Sequence, residues 1–227
     1  MDWNALLFLI FPYISLTMFV AVTVYRFINQ PFTISSLSSQ LLERRKLYWG
    51  SISFHWGILI VLSGHLLALV FPWGLIRWDS SPVRLYILEF TGLALGIWAF
   101  AGLLILFWRR LSERRLLAVS TIMDFIVLGL LILSTLTGFL MAFIYRFGSF
   151  WFTGIFTPYL WGILTFRPQP MALATLPWLI RLHVFNFFLL LLVFPFSRLV
   201  HIISYPFLYL FRPWQVVMRL GKTRGAG

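Results

Sequence analysis

All four histidines of this 227-residue chain, His55, His65, His183 and His201, fall inside long apolar runs. An ionisable group at membrane depth is costly and marks function by default. One such histidine could serve only as hydrogen-bonding glue between helices, but two pairs confined to two segments ask for a shared role. The chain has no Cys. Disulfides, thiolate zinc sites and cysteine-ligated iron–sulfur clusters are therefore excluded, and any metal held here rests on imidazole.

Spacing limits what the pairs can bind. On a continuous α-helix, His183 and His201 share one face about 27 Å apart, while His55 and His65 are about 15 Å apart on faces about 80° different. No single ion collects both members of either pair. The four must form two sites, each taking one ligand from each helix. Two imidazoles without carboxylate or thiolate leave zinc or copper underligated, but they fill both axial positions of a haem iron. Gly50, Gly57 and Gly64 recur every seven residues beside them. Such a stripe serves either close helix packing or room for a macrocycle. Arg198 lies three residues before His201, Arg181 two before His183, and Arg109 and Arg110 end an apolar run. These cations suit haem propionates, or equally snorkel to the membrane interface.

The elements that position them follow from composition. The chain is 61% hydrophobic and 11% charged, against about 25% charged for a soluble domain, so a soluble globule is excluded. Five runs are long enough to cross a bilayer: Trp3 to Tyr25, Leu47 to Phe71, Arg84 to Trp108, Leu117 to Tyr145 and Pro177 to Tyr205. They lack the alternation of barrel strands, which predicts an all-α integral membrane bundle forming one domain over residues 1–227. The first run follows Asp2 rather than a basic stretch and is expected to stay as a helix. Phe147 to Phe166 carries no charge either, but its Gly148, Gly154, Pro158 and Gly162 and its many aromatics suit an interfacial or short re-entrant segment.

Of the 18 basic residues, 12 fall in three alternate connections: Arg26, Arg44, Arg45 and Lys46; Arg109, Arg110, Arg114 and Arg115; and the tail Arg212, Arg219, Lys222 and Arg224. The positive-inside rule then places the N-terminus outside and the C-terminus in the cytoplasm. The net charge of +12 is read as orientation and as attraction to anionic lipid or an acidic partner, with no nucleic acid. This topology pairs His55 with His201 on the inner side and His65 with His183 on the outer. The unequal spacings require tilt, or a kink near Pro195.

Two stacked haems would make an electron wire whose donor and acceptor are external. A lipid-soluble quinol suits the outer end and a cytoplasmic protein docked on the basic loops suits the inner. Near the outer end, Arg84 could hold a quinone oxygen and Glu89 take a proton, or the two could pair as interface anchors. Asp124, at the inner start of the fourth run, is expected to pair with a loop arginine.

The segments SSQLLERRKLYWGSISFHWGILIVLSGH, ending at His65, and RLHVFNFFLLLLVFPFSRLVHIISYP, Arg181 to Pro206, resemble the γ subunit of respiratory nitrate reductase, a di-haem cytochrome b. The similarity covers nearly the whole chain, with a Gly64-His65 motif and an FPFSRLxH motif ending at His201. The resemblance implies two haem b groups: one proximal to the cytoplasmic subunits on His55 and His201, the other distal on His65 and His183. It also implies a menaquinol or quinol site lined by Gly64, His65 and Arg84, and a propionate contact from Arg110. The implied partners are a cytoplasmic iron–sulfur β subunit and, through it, a molybdenum α subunit that reduces nitrate, in the cytoplasmic membrane of a prokaryotic cell. Phe147 to Pro170 departs from the family's pattern. Two rival expectations remain: a related sulfur- or disulfide-reducing cytochrome b, and a His-lined proton or metal transporter.

Overall fold

The computed structural model describes residues 3–30, 45–169 and 171–203. The basic tail from Arg212 onward, the end of the last span at Tyr205, and most of the first basic connection, including Arg44, lie outside the described residues. Among those described the secondary structure is entirely helical. Helix α1 runs Trp3–Asn29 with a π-helical turn at Leu6–Ile10, and α2 is Arg45–Val70. A short α3, Pro72–Asp79, leads into α4, Pro82–Ser112. The short α5, Arg114–Ala118, precedes α6, Ile122–Ile144. Segment α7 is composite: Gly148–Trp151, a π-helical turn Phe152–Phe156, and Thr157–Leu164. A turn of helix α8, Met171–Ala174, precedes α9, Trp178–Val193.

Five of these helices are long and apolar enough to span a bilayer, at Trp3–Asn29, Lys46–Val70, Pro82–Ser112, Ile122–Ile144 and Trp178–Phe196. The chain is a multi-pass membrane protein. Several of its hydroxyls meet the bilayer's demand for internal satisfaction. Ser15, Ser53, Ser63 and Thr135 each donate to the carbonyl one turn back at 2.8–3.0 Å. Asn186, buried in α9, donates across to the Leu130 carbonyl of α6 at 3.0 Å and ties the two helices.

The principal packing runs α2 on α4, α4 on α6, α6 on α9 and α9 on α1. Helices α2 and α9, which carry His55, His65 and His183, share no comparable contact. The α2–α4 seam is the tightest, because small residues face one another. A Cβ added at Gly102 would stand 2.6 Å from the Phe54 nitrogen, one at Gly50 2.9 Å from the Leu106 side chain, and one at Gly57 2.8 Å from the Leu95 carbonyl. Gly50 and Gly57 therefore serve close packing on α4. Only Gly64 is open, with nothing within 4 Å of a Cβ built there. The glycine stripe divides into two uses for a geometric reason: at 100° per residue, His55 lies about 140° round the helix from Gly50.

Two boundaries differ most from those expected. The fourth span starts at Ile122 rather than Leu117, because Thr121 and Asp124 form a reciprocal capping box that begins a new helix. The fifth helix does not run unbroken to His201. It ends at Val193 and passes through a 3₁₀ turn Phe194–Phe196 to Ser197, which is extended at φ −114° and ψ 178°. A second 3₁₀ turn, Arg198–Val200, delivers His201. Pro195 has no N–H to continue the ladder. The Arg26 guanidinium, at the end of α1, donates to its carbonyl and satisfies part of the break. The separation of about 27 Å projected for His183 and His201 on a continuous helix therefore does not apply.

Candidate haem-ligand site

Taking the basic-loop side as inner, the structure brings the inner pair together: the rings of His55 and His201 stand 6.4 Å apart, centre to centre, with their planes at 56°. His55 Nδ1 donates to the Ser51 carbonyl at 2.7 Å, with the Ser51 hydroxyl at 3.1 Å. His201 Nδ1 donates to the Arg198 carbonyl at 2.6 Å. A carbonyl only accepts, so each ring carries its proton on Nδ1 and presents a bare Nε2 lone pair.

The outer pair follows the same rule with different parts. His65 Nδ1 donates to the Val61 carbonyl at 2.8 Å. His183 Nδ1 lies 2.8 Å from the Thr137 hydroxyl of α6. Because that hydroxyl spends its proton on the Leu133 carbonyl at 2.7 Å, it accepts from His183, and Nε2 is again free. Gly138 makes room for this ring, since a Cβ there would lie 3.4 Å from His183 Cε1. His65 and His183 are electrostatic neighbours. The edge of Phe152, from α7, meets the His65 ring at 5.1 Å and 83°.

Around the inner pair the arginines converge on one carboxylate. Asp124 pairs with Arg110 at 3.1 Å and Arg198 at 3.2 Å, and accepts the Thr121 backbone N–H at 3.0 Å. Arg110 also donates to Ser120 at 2.8 Å. Asp124 thus joins the end of α4, the start of α6 and the turn that carries His201. Its expected pairing with arginine is present, in doubled form. At the outer end Arg181 keeps a buried Nε with no hydrogen-bond partner.

Arg84 and Glu89 are not paired with each other. The Arg84 guanidinium donates to the Trp78 and Arg77 carbonyls at 2.9 and 3.3 Å and to the Ser80 hydroxyl at 3.3 Å, and packs over the Trp78 ring. It closes the C-terminal end of α3. The Glu89 carboxylate faces the start of α7, with its Oε1 3.8 Å from where a Cβ on Gly148 would stand and turned toward the backbone N–H groups of Phe147, Gly148 and Ser149. Thr137, Phe152 and this role of Glu89 escaped sequence reasoning. A threonine inside an apolar run was the only available hint of the first.

The donor set can be tested against a haem. Two imidazoles held to one metal from opposite sides, with bonds of about 2.0 Å and each ring centre about 1.1 Å behind its nitrogen, would stand about 6.2 Å apart. The 6.4 Å inner separation agrees. All four Nδ1 atoms are fixed by an acceptor, as metal-binding histidines require. Among the described residues no three His, Cys, Asp or Glu side chains converge as a metal-binding group. The partnerless Arg181 Nε offers a donor to an anionic group.

Fold and site together define a helical multi-pass membrane protein in which the His55 and His201 rings stand side by side. The sequence pattern of the nitrate reductase gamma subunit family matches residues 4–220. The nitrate reductase gamma chain of Bacillus subtilis (strain 168) is 34% identical over 91% of this chain and 94% of its own. Respiratory nitrate reductase 1 and 2 gamma chains of Escherichia coli (strain K12) are 32% and 31% identical, each over 94% of this chain and 96% of their own. The chain belongs to the nitrate reductase gamma subunit family, and is a membrane subunit of that kind of oxidoreductase.

Proposed function

We propose that this chain oxidises quinol at its outer side and delivers the electrons through two b haems to a cytoplasmic iron–sulfur subunit, and through it to a molybdenum subunit that reduces nitrate. The observation that carries this reading is the inner histidine pair, whose separation and bare Nε2 atoms suit one iron. His55 and His201 would hold the inner haem, His65 and His183 the outer. When bound, the two haems supply one-electron carriers on either side of the bilayer.

The chain's own residues do the rest. The carbonyl and hydroxyl acceptors at Ser51, Val61, Thr137 and Arg198 hold each imidazole in the tautomer that can ligate. Arg181 would bind a propionate at the outer site. Arg110 and Arg198, neutralised in part by Asp124, would do so at the inner. Gly64 leaves the space beside His65 open to a quinol headgroup. Arg84 keeps the α3–α4 corner closed through its carbonyl contacts. Menaquinol is the expected donor, and its two protons leave on the outer side.

The test is an absorbance spectrum of the purified membrane complex, reduced by dithionite and then by a menaquinol analogue. The expected result is a b-type α band with both reductants. No α band with dithionite would refute haem and favour a transporter; a band with dithionite but not with quinol would refute the donor.

A further inference from the structure

Segment α7 reaches the outer pair at His65, whose ring Phe152 meets at 5.1 Å. Three side chains of α7 tie it to the bundle. Thr157 donates to the Ala68 carbonyl at 3.2 Å, Trp161 Nε1 to the Leu69 carbonyl at 3.0 Å and Tyr159 to the Phe8 carbonyl at 2.8 Å. The first two acceptors lie at the end of α2, three and four residues beyond His65. Burial pushes the Tyr159 phenol far above its ordinary range, which keeps it a donor.

The ring that reaches His65 is itself held. Phe152 packs on Phe156 at 5.0 Å, Phe156 on Tyr159 at 6.1 Å, and Tyr159 on Phe188 of α9 at 6.4 Å. Both ends of the segment turn through left-handed backbone at bulky residues, Phe147 at φ 62° and Phe166 at φ 58°. Such strain persists only where neighbours over-determine it. At Phe147 the neighbour is Glu89, which lines the same cavity and whose Oε1 lies 3.8 Å from where a Cβ on Gly148 would stand, facing the amides of Phe147, Gly148 and Ser149.

We propose that α7 is a fixed aromatic cap over the outer site, in which Phe152 determines which quinols reach His65 and Glu89 is the positioning residue that fastens the cap's first turn. This rests on the quinol reading above. Phe152 meets the imidazole edge-on, so its size sets the clearance for a headgroup beside Gly64, while the ladder behind it prevents retreat. A pocket wall of this kind discriminates by about 10- to 200-fold per methylene-sized change.

The test uses the intact membrane complex carrying Phe152→Ala, Phe152→Leu, Phe152→Trp, Glu89→Gln or Glu89→Ala. Steady-state rates are measured with a small unsubstituted benzoquinol and a bulky naphthoquinol, and hydrogen–deuterium exchange is followed across residues 147–164. Phe152→Ala should lower KM for the bulky quinol about tenfold with kcat within twofold, Phe152→Trp should raise it, and the small quinol should respond little. Phe152→Leu keeps apolar volume and supplies the same readout if the alanine variant does not assemble. Glu89→Ala should speed amide exchange at 147–149 at least tenfold, with Glu89→Gln between it and the parent. Unchanged KM ratios in every Phe152 variant of an active complex would overturn the gate, and unchanged exchange in Glu89→Ala would overturn the anchor. A parent complex that oxidises neither quinol defeats the function reading and the gate with it, while the exchange result still decides the anchor.

Discussion

At the inner pair, His55 stands on a regular helix and His201 on a turn that follows a broken one, held by the Asp124–Arg198 contact at 3.2 Å. At the outer pair both histidines stand within long helices; His183 leans on the Thr137 hydroxyl and His65 on the edge of Phe152. The inner site is therefore assembled by charge from three chain segments, the outer by packing and neutral hydrogen bonds to the Val61 carbonyl and the Thr137 hydroxyl. The contrast follows from what each end must face. Next to basic loops and water, ion pairs are affordable partners for an irregular turn, whereas deeper in the bundle an unpaired charge would cost several kcal/mol.

Substitutions can break this contrast one side at a time. Asp124→Ala removes the shared partner of Arg110 and Arg198 and one half of the α6 capping box. A loss of about 3–5 kcal/mol is expected from a largely buried carboxylate, read as a lowered thermal midpoint with the inner haem signal lost first. An equal loss at both sites would show that the hub is not local.

Gly102→Ala drives a methyl to 2.6 Å from the Phe54 nitrogen, next to His55. About 1–3 kcal/mol of overpacking is expected. Gly138→Ala, at 3.4 Å from His183, should cost less and act on the outer site. The comparison is made by thermal unfolding of the two variants, and reversal of their order would contradict the packing described.

Thr137→Val keeps the shape but removes the acceptor that fixes the His183 tautomer. Loss of such a supporting contact weakens metal binding by about 10- to 100-fold. Retention of the outer haem during detergent washing measures it, with the inner haem as the internal control. The smallest effect is expected from Trp161→Phe, which gives up one hydrogen bond to the Leu69 carbonyl. A loss of about 1 kcal/mol should appear as a small drop in melting temperature with the inner site untouched.

Much of this architecture is legible in the sequence because hydropathy and charge act locally. Five spans and the pairing of His55 with His201 follow from run length and basic loops. What is not legible depends on where a helix stops or which way a side chain is drawn. The apolar stretch Leu116–Val119 continues the hydropathy of the fourth run, yet Thr121 and Asp124 restart the helix after it. Helical projection to His201 assumed an unbroken helix, and Pro195 with Ser197 made two turns of it irregular. Gly50 and Gly57 share a stripe with Gly64 but face α4, since that side offered small residues such as Gly102 and Ala99. Glu89 looked like a partner for Arg84 five residues away. Each instead found backbone groups, amides for the anion and carbonyls for the cation, because the ends of α3 and α7 leave those groups unsatisfied within the same corner.

The pairing of ligands across helices is the central claim, and four single substitutions test it: His55→Ala, His65→Ala, His183→Ala and His201→Ala, each purified in the complex and compared by low-temperature reduced-minus-oxidised spectra. The account predicts two classes of spectrum, with the His55 and His201 variants alike, each missing the same component, and the His65 and His183 variants alike in missing the other. Identical spectra for the His55 and His65 variants, or loss of both components in any one of the four, would contradict it.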